Sequence, residues 1–126
     1  MFTLNMNDTE LIFVYNATSG VFAGLKDLIH KSVSPKTYGC NLCGLTYRGA
    51  SMKQEWKSFI DTFPFNAEFL HKDEFVKQYP KYAMTFYPVV FKREGDQLSE
   101  VITTNEINQQ HTLEALKKLI TKKLID

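Results

Sequence analysis

The feature that most constrains the fold is a continuous run of apolar, β-forming residues near the start of the chain. Leu11-Ile12-Phe13-Val14-Tyr15 carries no charged residue. A run without polar alternation is typical of a strand that is covered on both faces, and helices provide that cover in α/β proteins. The run therefore predicts a strand that is buried on both faces.

The rest of the chain alternates between helical and extended patterns. Apolar residues at helical spacing predict long helices over 20–32, 51–63 and 112–124 and a short one over 74–78. Extended apolar runs predict strands over 67–71, 88–92 and 98–103. The last two strands are predicted to form a hairpin that turns at Gly95.

Several residues are predicted to cap these helices or to face the core. Ser51 and Gln54 fit a capping box at the start of the second long helix. On that helix, Trp56 and Phe59 are predicted to be buried against the sheet. Asp73 is predicted to cap the short helix that follows the second strand.

Length and composition limit the class of protein. The 126 residues suit one domain over 1–126, and 44% hydrophobic content suits a well-filled core. The net charge of +1 gives no overall bias toward nucleic acid or membranes. No apolar run approaches the roughly 18–20 residues of a membrane span, and the start lacks a signal-peptide layout. We expect a cytoplasmic monomer or homodimer, with neither nucleic acid nor a membrane as partner.

The only two cysteines lie two residues apart in Gly39-Cys40-Asn41-Leu42-Cys43-Gly44, within a segment over 34–50 that is predicted to be irregular, with a brief strand over 45–47. Such a pair can cycle between dithiol and disulfide, supply half of a zinc site, or pack as two small apolar residues. The flanking glycines permit a tight turn and argue against simple packing.

The leading hypothesis is thiol–disulfide exchange or redox sensing with a protein or small-molecule thiol. By analogy with other such pairs, Cys40 attacks and Cys43 resolves. A permanent disulfide is not expected in the cytoplasm.

The order of elements resembles that of a thioredoxin-like domain: strand, helix, strand, helix, then a strand hairpin and a last helix. Residues 69–75 look like the second strand and the following helix of that fold, and residues 87–91 look like its third strand. The resemblance implies a central four-stranded mixed sheet flanked by helices, with an inserted segment that carries the cysteines. It also implies a cis peptide between Tyr87 and Pro88, at the start of the third strand.

Two further resemblances concern shorter stretches. Residues 13–22 resemble the start of small thiol–disulfide oxidoreductases, but Ser19 and Phe22 stand where that family has its two cysteines. That resemblance therefore implies the fold and not the activity. Residues 40–47 and 70–75 resemble small bacterial proteins with a Cys-x-Leu-Cys-x-Leu-Thr-Tyr stretch, a likeness that implies a family and no function.

Topology places the candidate site. We assume that both long helices before the second strand run antiparallel to the parallel strands. The inserted segment between them must then run from the edge where these strands begin to the edge where they end. That second edge is the usual ligand edge of α/β sheets. His71 ends a strand there, and is either an ordinary strand-end residue, a general base, or a third zinc ligand beside Cys40 and Cys43. Ser19, at a helix start, is a candidate contact for an anionic group. Pro88 is a candidate wall of a substrate groove.

Two alternatives to redox chemistry stay open. One is a zinc module completed by a second chain, and the other is a non-catalytic binding domain that uses the helix start at Ser19.

Overall fold

The computed structural model of the protein describes residues 9–18, 40–48 and 51–125. The strands of this part are β1 (Thr9–Tyr15), β2 (Tyr47–Arg48), β3 (Ser51–Met52), β4 (Asn66–His71), β5 (Val89–Glu94) and β6 (Gln97–Ile102). Its α-helices are α1 (Asn41–Thr46), α2 (Gln54–Thr62), α3 (Lys72–Gln78), α4 (Thr104–Asn108) and α5 (Leu113–Leu124), and a 3-10 turn spans Pro80–Tyr82. The helix predicted over 20–32 lies outside the described residues.

Four strands form one mixed sheet in the order β4-β1-β5-β6. β1 and β4 are parallel, with Phe13 opposite Phe69 and Tyr15 opposite His71. β5 runs antiparallel to β1, and β6 runs antiparallel to β5. β2 and β3 form a separate two-stranded ribbon. The predicted α/β fold class, a four-stranded mixed sheet flanked by helices, is confirmed, and its strand order is compatible with a thioredoxin-like fold.

The apolar run of β1 is buried on both faces of this sheet, as its sequence predicts. Leu11 and Phe13 belong to a core cluster on one face, which α1, α2 and α5 cover. Ile12 and Val14 belong to a second cluster on the opposite face, around Phe75 of α3. Successive strand residues point to opposite faces, so a run without polar residues needs cover on both sides.

Aromatic rings fill the space between α2 and the sheet. Trp56 is fully buried, and its ring meets that of Phe13 edge to face. Phe59 is only partly buried and stacks on Trp56 with centroids 5.8 Å apart. The predicted burial against the sheet is confirmed for Trp56 and only in part for Phe59.

The predicted start of α2 is wrong. Ser51 is not its N-cap, because Ser51 and Met52 pair with β2 as a strand. The Lys53 N–H then donates to the Thr46 carbonyl at 2.8 Å, which keeps this backbone extended up to the true N-cap, Lys53. The helix therefore begins at Gln54.

Two other helix starts use a carboxylate three residues after the cap. α3 begins one residue after His71 rather than after the predicted cap, Asp73, and the Glu74 carboxylate accepts the His71 N–H at 2.8 Å. α4 was not predicted from the sequence. Thr103 is its N-cap, and the Glu106 carboxylate accepts the Thr103 N–H at 2.9 Å. Reciprocal bonds of this kind satisfy amides that a helix start leaves free.

Three further structural predictions for the C-terminal half are confirmed. β5 and β6 form the expected hairpin, and Gly95 has a φ of 65° in its turn, a conformation that glycine adopts without steric cost. The peptide between Tyr87 and Pro88 is cis. The last helix begins one residue after its N-cap, Thr112.

Candidate functional site

The cysteines belong to a short helix. The prediction of an irregular segment is wrong from Cys40 onward, because α1 begins there with Cys40 as its N-cap. The Cys40 sulfur accepts the Cys43 N–H at 3.2 Å, and the Thr46 hydroxyl donates to the Leu42 carbonyl at 2.7 Å. A helix of six residues is too short to be stable by itself, so contacts with the rest of the molecule must hold it.

The two sulfurs are joined in a disulfide, and neither cysteine is free. The Cα atoms of Cys40 and Cys43 are 5.3 Å apart, within the usual range for a disulfide. The bond links the N-cap to the first turn of α1. The geometry of the pair is therefore that of a disulfide.

Both cysteines lie in the core. Cys40 is 3% exposed and Cys43 is 8% exposed. They belong to the same core cluster as Phe13 and Trp56, together with residues of α4 and α5. The polypeptide around the sulfurs must therefore move before another thiol can approach either sulfur along the S–S axis.

Asn41, between the two cysteines, fixes α1 to α4. Its side-chain amide donates to the carbonyls of Ile107 and Gln110, each at 2.8 Å. Ile107 lies in the last turn of α4, and its carbonyl also accepts the Gln110 N–H at 3.0 Å. Asn41 was not predicted to be a site residue, because no local pattern points to hydrogen bonds across 66 and 69 residues.

The other end of α1 contacts the end of β1. Tyr47 follows α1 directly, and its ring meets that of Tyr15 at 5.6 Å. Burial raises the pKa of Tyr15 well above the usual value for a phenol, and the neighbouring Tyr47 raises it further. Tyr15 therefore stays protonated at neutral pH.

These contacts place α1 at the predicted edge of the sheet. Tyr47 touches the last residue of β1, and Asn41 binds the helix that follows β6. β1 and β6 both run antiparallel to β5, so they end at the same edge. The cysteine helix therefore lies at the predicted edge, while the helix over 20–32, from which that prediction also starts, lies outside the described residues.

His71 lies at the same edge, where it is the N-cap of α3. Its Nδ1 atom is 2.8 Å from the Glu74 carboxylate, and its ring centroid is 6.1 Å from that of Tyr15. Next to it, the Lys72 N–H donates to the Ala17 carbonyl, which ties the ends of β1 and β4 together. This geometry gives His71 a role at the helix start, and a role as general base stays a prediction.

The zinc alternative receives no support from the described residues. Within them, no three His, Cys, Asp or Glu side chains are grouped so that they could hold a metal ion. His71 is engaged with Glu74, and both sulfurs are engaged with each other. Ser19, the candidate contact for an anion, lies outside the described residues.

Pro88 is connected to the cysteine helix through α4. Its carbonyl accepts the Thr104 hydroxyl at 2.8 Å, at the start of α4, while Asn41 binds the end of the same helix. A groove of about 430 Å³ lies beside α4. It is lined by Phe86, Glu100, Thr103, Thr104, Asn105 and Asn108. The structure therefore relates Pro88 and the cysteines through one short helix.

Comparisons with protein-family models, with curated proteins and with solved structures gave no match. The resemblance of residues 40–47 to a small bacterial family stays a prediction. In the part of the chain that the structure describes, no helix combines the length and the apolar character needed to cross a membrane.

Proposed function

We propose that this protein is a thiol–disulfide redox protein in which Cys40 and Cys43 cycle between a disulfide and two thiols. The observation that carries the proposal is the bond between the two sulfurs across the first turn of α1. A compatible fold adds support, since its sheet has the strand order β4-β1-β5-β6. The pair itself lies outside the position that small oxidoreductases use, which corresponds here to Ser19 and Phe22.

The chemistry balances with a thiol as reductant. A partner thiolate attacks one sulfur of the disulfide, forms a mixed disulfide and releases the other sulfur as a thiolate. A second partner thiol then breaks the mixed disulfide, so that the pair gains two electrons and two protons and the partner becomes a disulfide. In the reverse direction Cys40 attacks an oxidised partner and Cys43 resolves the product. The Cys43 N–H that donates to the Cys40 sulfur would stabilise a thiolate there.

Burial of both sulfurs favours redox sensing over rapid exchange. Attack requires that the incoming thiolate approach a sulfur along the disulfide bond, and access therefore limits the rate. Cys40 and Cys43 are both more than nine-tenths buried. A centre of this kind responds slowly and to a sustained change in redox conditions. We propose a protein or small-molecule thiol as the partner, and a cytoplasmic monomer or homodimer as the working form.

A redox titration of the native protein tests the proposal. The protein is equilibrated in buffers with different ratios of thiol to disulfide, trapped with an alkylating reagent, and weighed by mass spectrometry. We expect one reversible transition in which the pair takes up two alkyl groups when reduced, with the fold retained. Cys40→Ser and Cys43→Ser should each abolish the transition. A disulfide that resists every reducing buffer until the protein unfolds would show that the bond is structural.

A further inference from the structure

We propose that Asn41 couples the redox state of the cysteines to α4, so that reduction of the disulfide loosens the end of that helix. The inference rests on the proposed function, because it assigns a consequence to the same redox change. It concerns regulation, since α4 forms one wall of the groove beside Phe86.

Asn41 lies between the two cysteines along the chain. Cys40 is the N-cap of α1 and Cys43 completes its first turn, so the disulfide restrains the backbone on both sides of Asn41. The Asn41 amide needs this backbone position, because it reaches two carbonyls at 2.8 Å simultaneously. Few other placements of the same side chain satisfy two hydrogen bonds with good geometry.

Reduction of the disulfide increases the space that the two sulfurs need. Two electrons and two protons from a thiol reductant convert one S–S bond into two S–H groups, and sulfurs that are no longer bonded move apart. Cys40 and Cys43 are 3% and 8% exposed in a closely packed core cluster, so there is little free volume to absorb the movement. The first turn of α1 must therefore shift, and Asn41 shifts with it.

The two ends of α4 depend on Asn41 to different degrees. The start of this five-residue helix has its own supports, since Thr103 and Glu106 form a capping box and Glu106 also pairs with Lys123. Its last turn binds Asn41 through the Ile107 carbonyl, and Gln110, whose own carbonyl Asn41 also holds, supplies further bonds at this end. Loss of the Asn41 bonds should therefore loosen the end of α4 more than its start. The groove changes as a result, because Asn108 in this last turn lines it.

Hydrogen exchange of backbone amides tests this coupling. The amides to follow are those of Ile107, Gln109 and Gln110, which are bonded within and just after α4. We expect reduction of the wild-type protein to accelerate their exchange about tenfold, while amides of the β5–β6 hairpin keep their protection. Asn41→Ala in the oxidised protein should produce the same acceleration, and its reduction should add little. Asn66→Ala, which replaces an exposed asparagine at the start of β4, is the matched control.

The variant Cys40→Ser/Cys43→Ser separates failure of the coupling from failure of the proposed function. It lacks the bond whatever the redox behaviour of the wild-type pair, and it should show the fast exchange at the end of α4. If it retains wild-type exchange there, or if Asn41→Ala does, the coupling is refuted. If the serine variant behaves as expected but the native disulfide cannot be reduced in the folded protein, the coupling holds and the proposed redox function fails. Protection of the β5–β6 amides shows in each case that the variant is folded.

Discussion

The ring of Trp56 meets the ring of Phe13 edge to face, with centroids 5.5 Å apart, where α2 lies over the sheet. Both residues are fully buried, and both belong to the core cluster that contains the cysteines. Rings in this arrangement add a specific attraction to the energy of burying their area. The contact therefore fixes α2 on the same face of the sheet as α1.

Replacement of Trp56 by alanine should lower the free energy of unfolding by about 3–5 kcal/mol, because transfer energy is lost and a cavity remains. Urea denaturation measures the change. Phe86→Ala is a suitable control, since Phe86 is 81% exposed and its loss should cost less than about 0.5 kcal/mol. A cost below about 1 kcal/mol for the Trp56 variant would contradict the packing of α2 on the sheet.

Asn41→Ala should also destabilise the protein, even though its side chain is polar and small. It removes two hydrogen bonds to backbone carbonyls, each worth about 1 kcal/mol, for a total near 2 kcal/mol. Denaturation of the oxidised protein measures this change. Asn66→Ala should have almost no effect, since that residue is exposed. Equal stability of the two variants would contradict the role assigned to Asn41.

Loss of the disulfide itself should cost little. The cysteines are three positions apart, so the bond closes a very short loop and the loop-entropy model predicts only about 2 kcal/mol. We expect Cys40→Ser/Cys43→Ser to remain folded, with a cooperative unfolding transition in urea. Failure of this variant to fold in native buffer would indicate that the bond is needed for the structure, which does not suit a reversible redox centre.

The buried phenol of Tyr15 should make stability fall at high pH. Its pKa is raised in the folded protein by burial, whereas in the unfolded chain it ionises near pH 10. The unfolded state then binds fewer protons than the folded state, so stability is fully present below about pH 10 and falls above it by up to about 1.4 kcal/mol per pH unit.

Tyr15→Phe removes this contribution. The difference in unfolding free energy between the wild type and the variant should be constant at neutral pH and should shrink above about pH 10. Denaturant titrations of both proteins over this range provide the measurement. Parallel pH profiles would mean that Tyr15 ionises as readily in the folded protein as in the unfolded chain.

The ion pair of Glu106 with Lys123 should show the opposite dependence. Hydrogen bonds from Lys123 and from the Thr103 backbone lower the pKa of Glu106. Its stabilising effect is therefore present above the ordinary carboxyl range and is lost as pH falls through the lowered value. Glu106→Gln should cost at most about 1 kcal/mol at neutral pH, since the pair is only partly buried. The two proteins should become equally stable in acid, and a persistent difference there would contradict the assignment.

The sheet could be predicted from the sequence because its signals are local and repeated. The run of β1 needs cover on both faces wherever it is placed, and Gly95 suits only a tight turn between extended runs. The edge at which the cysteines lie was predicted from the directions of the strands and of the two long helices that precede the second strand. Such features depend on the backbone and on periodicity, and not on particular distant partners.

The helix that carries the cysteines could not be predicted in the same way. A six-residue helix has little intrinsic stability, and glycine at position 44 disfavours it further. What holds α1 is burial of Leu42 and Leu45 and the bonds from Asn41 to a helix more than sixty residues away. The start of α2 escaped prediction for a similar reason, since Ser51 pairs with β2 rather than capping a helix.

The position of Trp56 has a practical consequence. It is the only tryptophan in the chain, so the indole fluorescence of the protein comes from one site. That site is in the core cluster that also contains Cys40 and Cys43. Indole emission depends on the surroundings of the ring, so it changes when the packing of this cluster changes. The protein thus contains an intrinsic optical probe, and a change in its emission on reduction would report repacking of the core cluster in real time without any added dye.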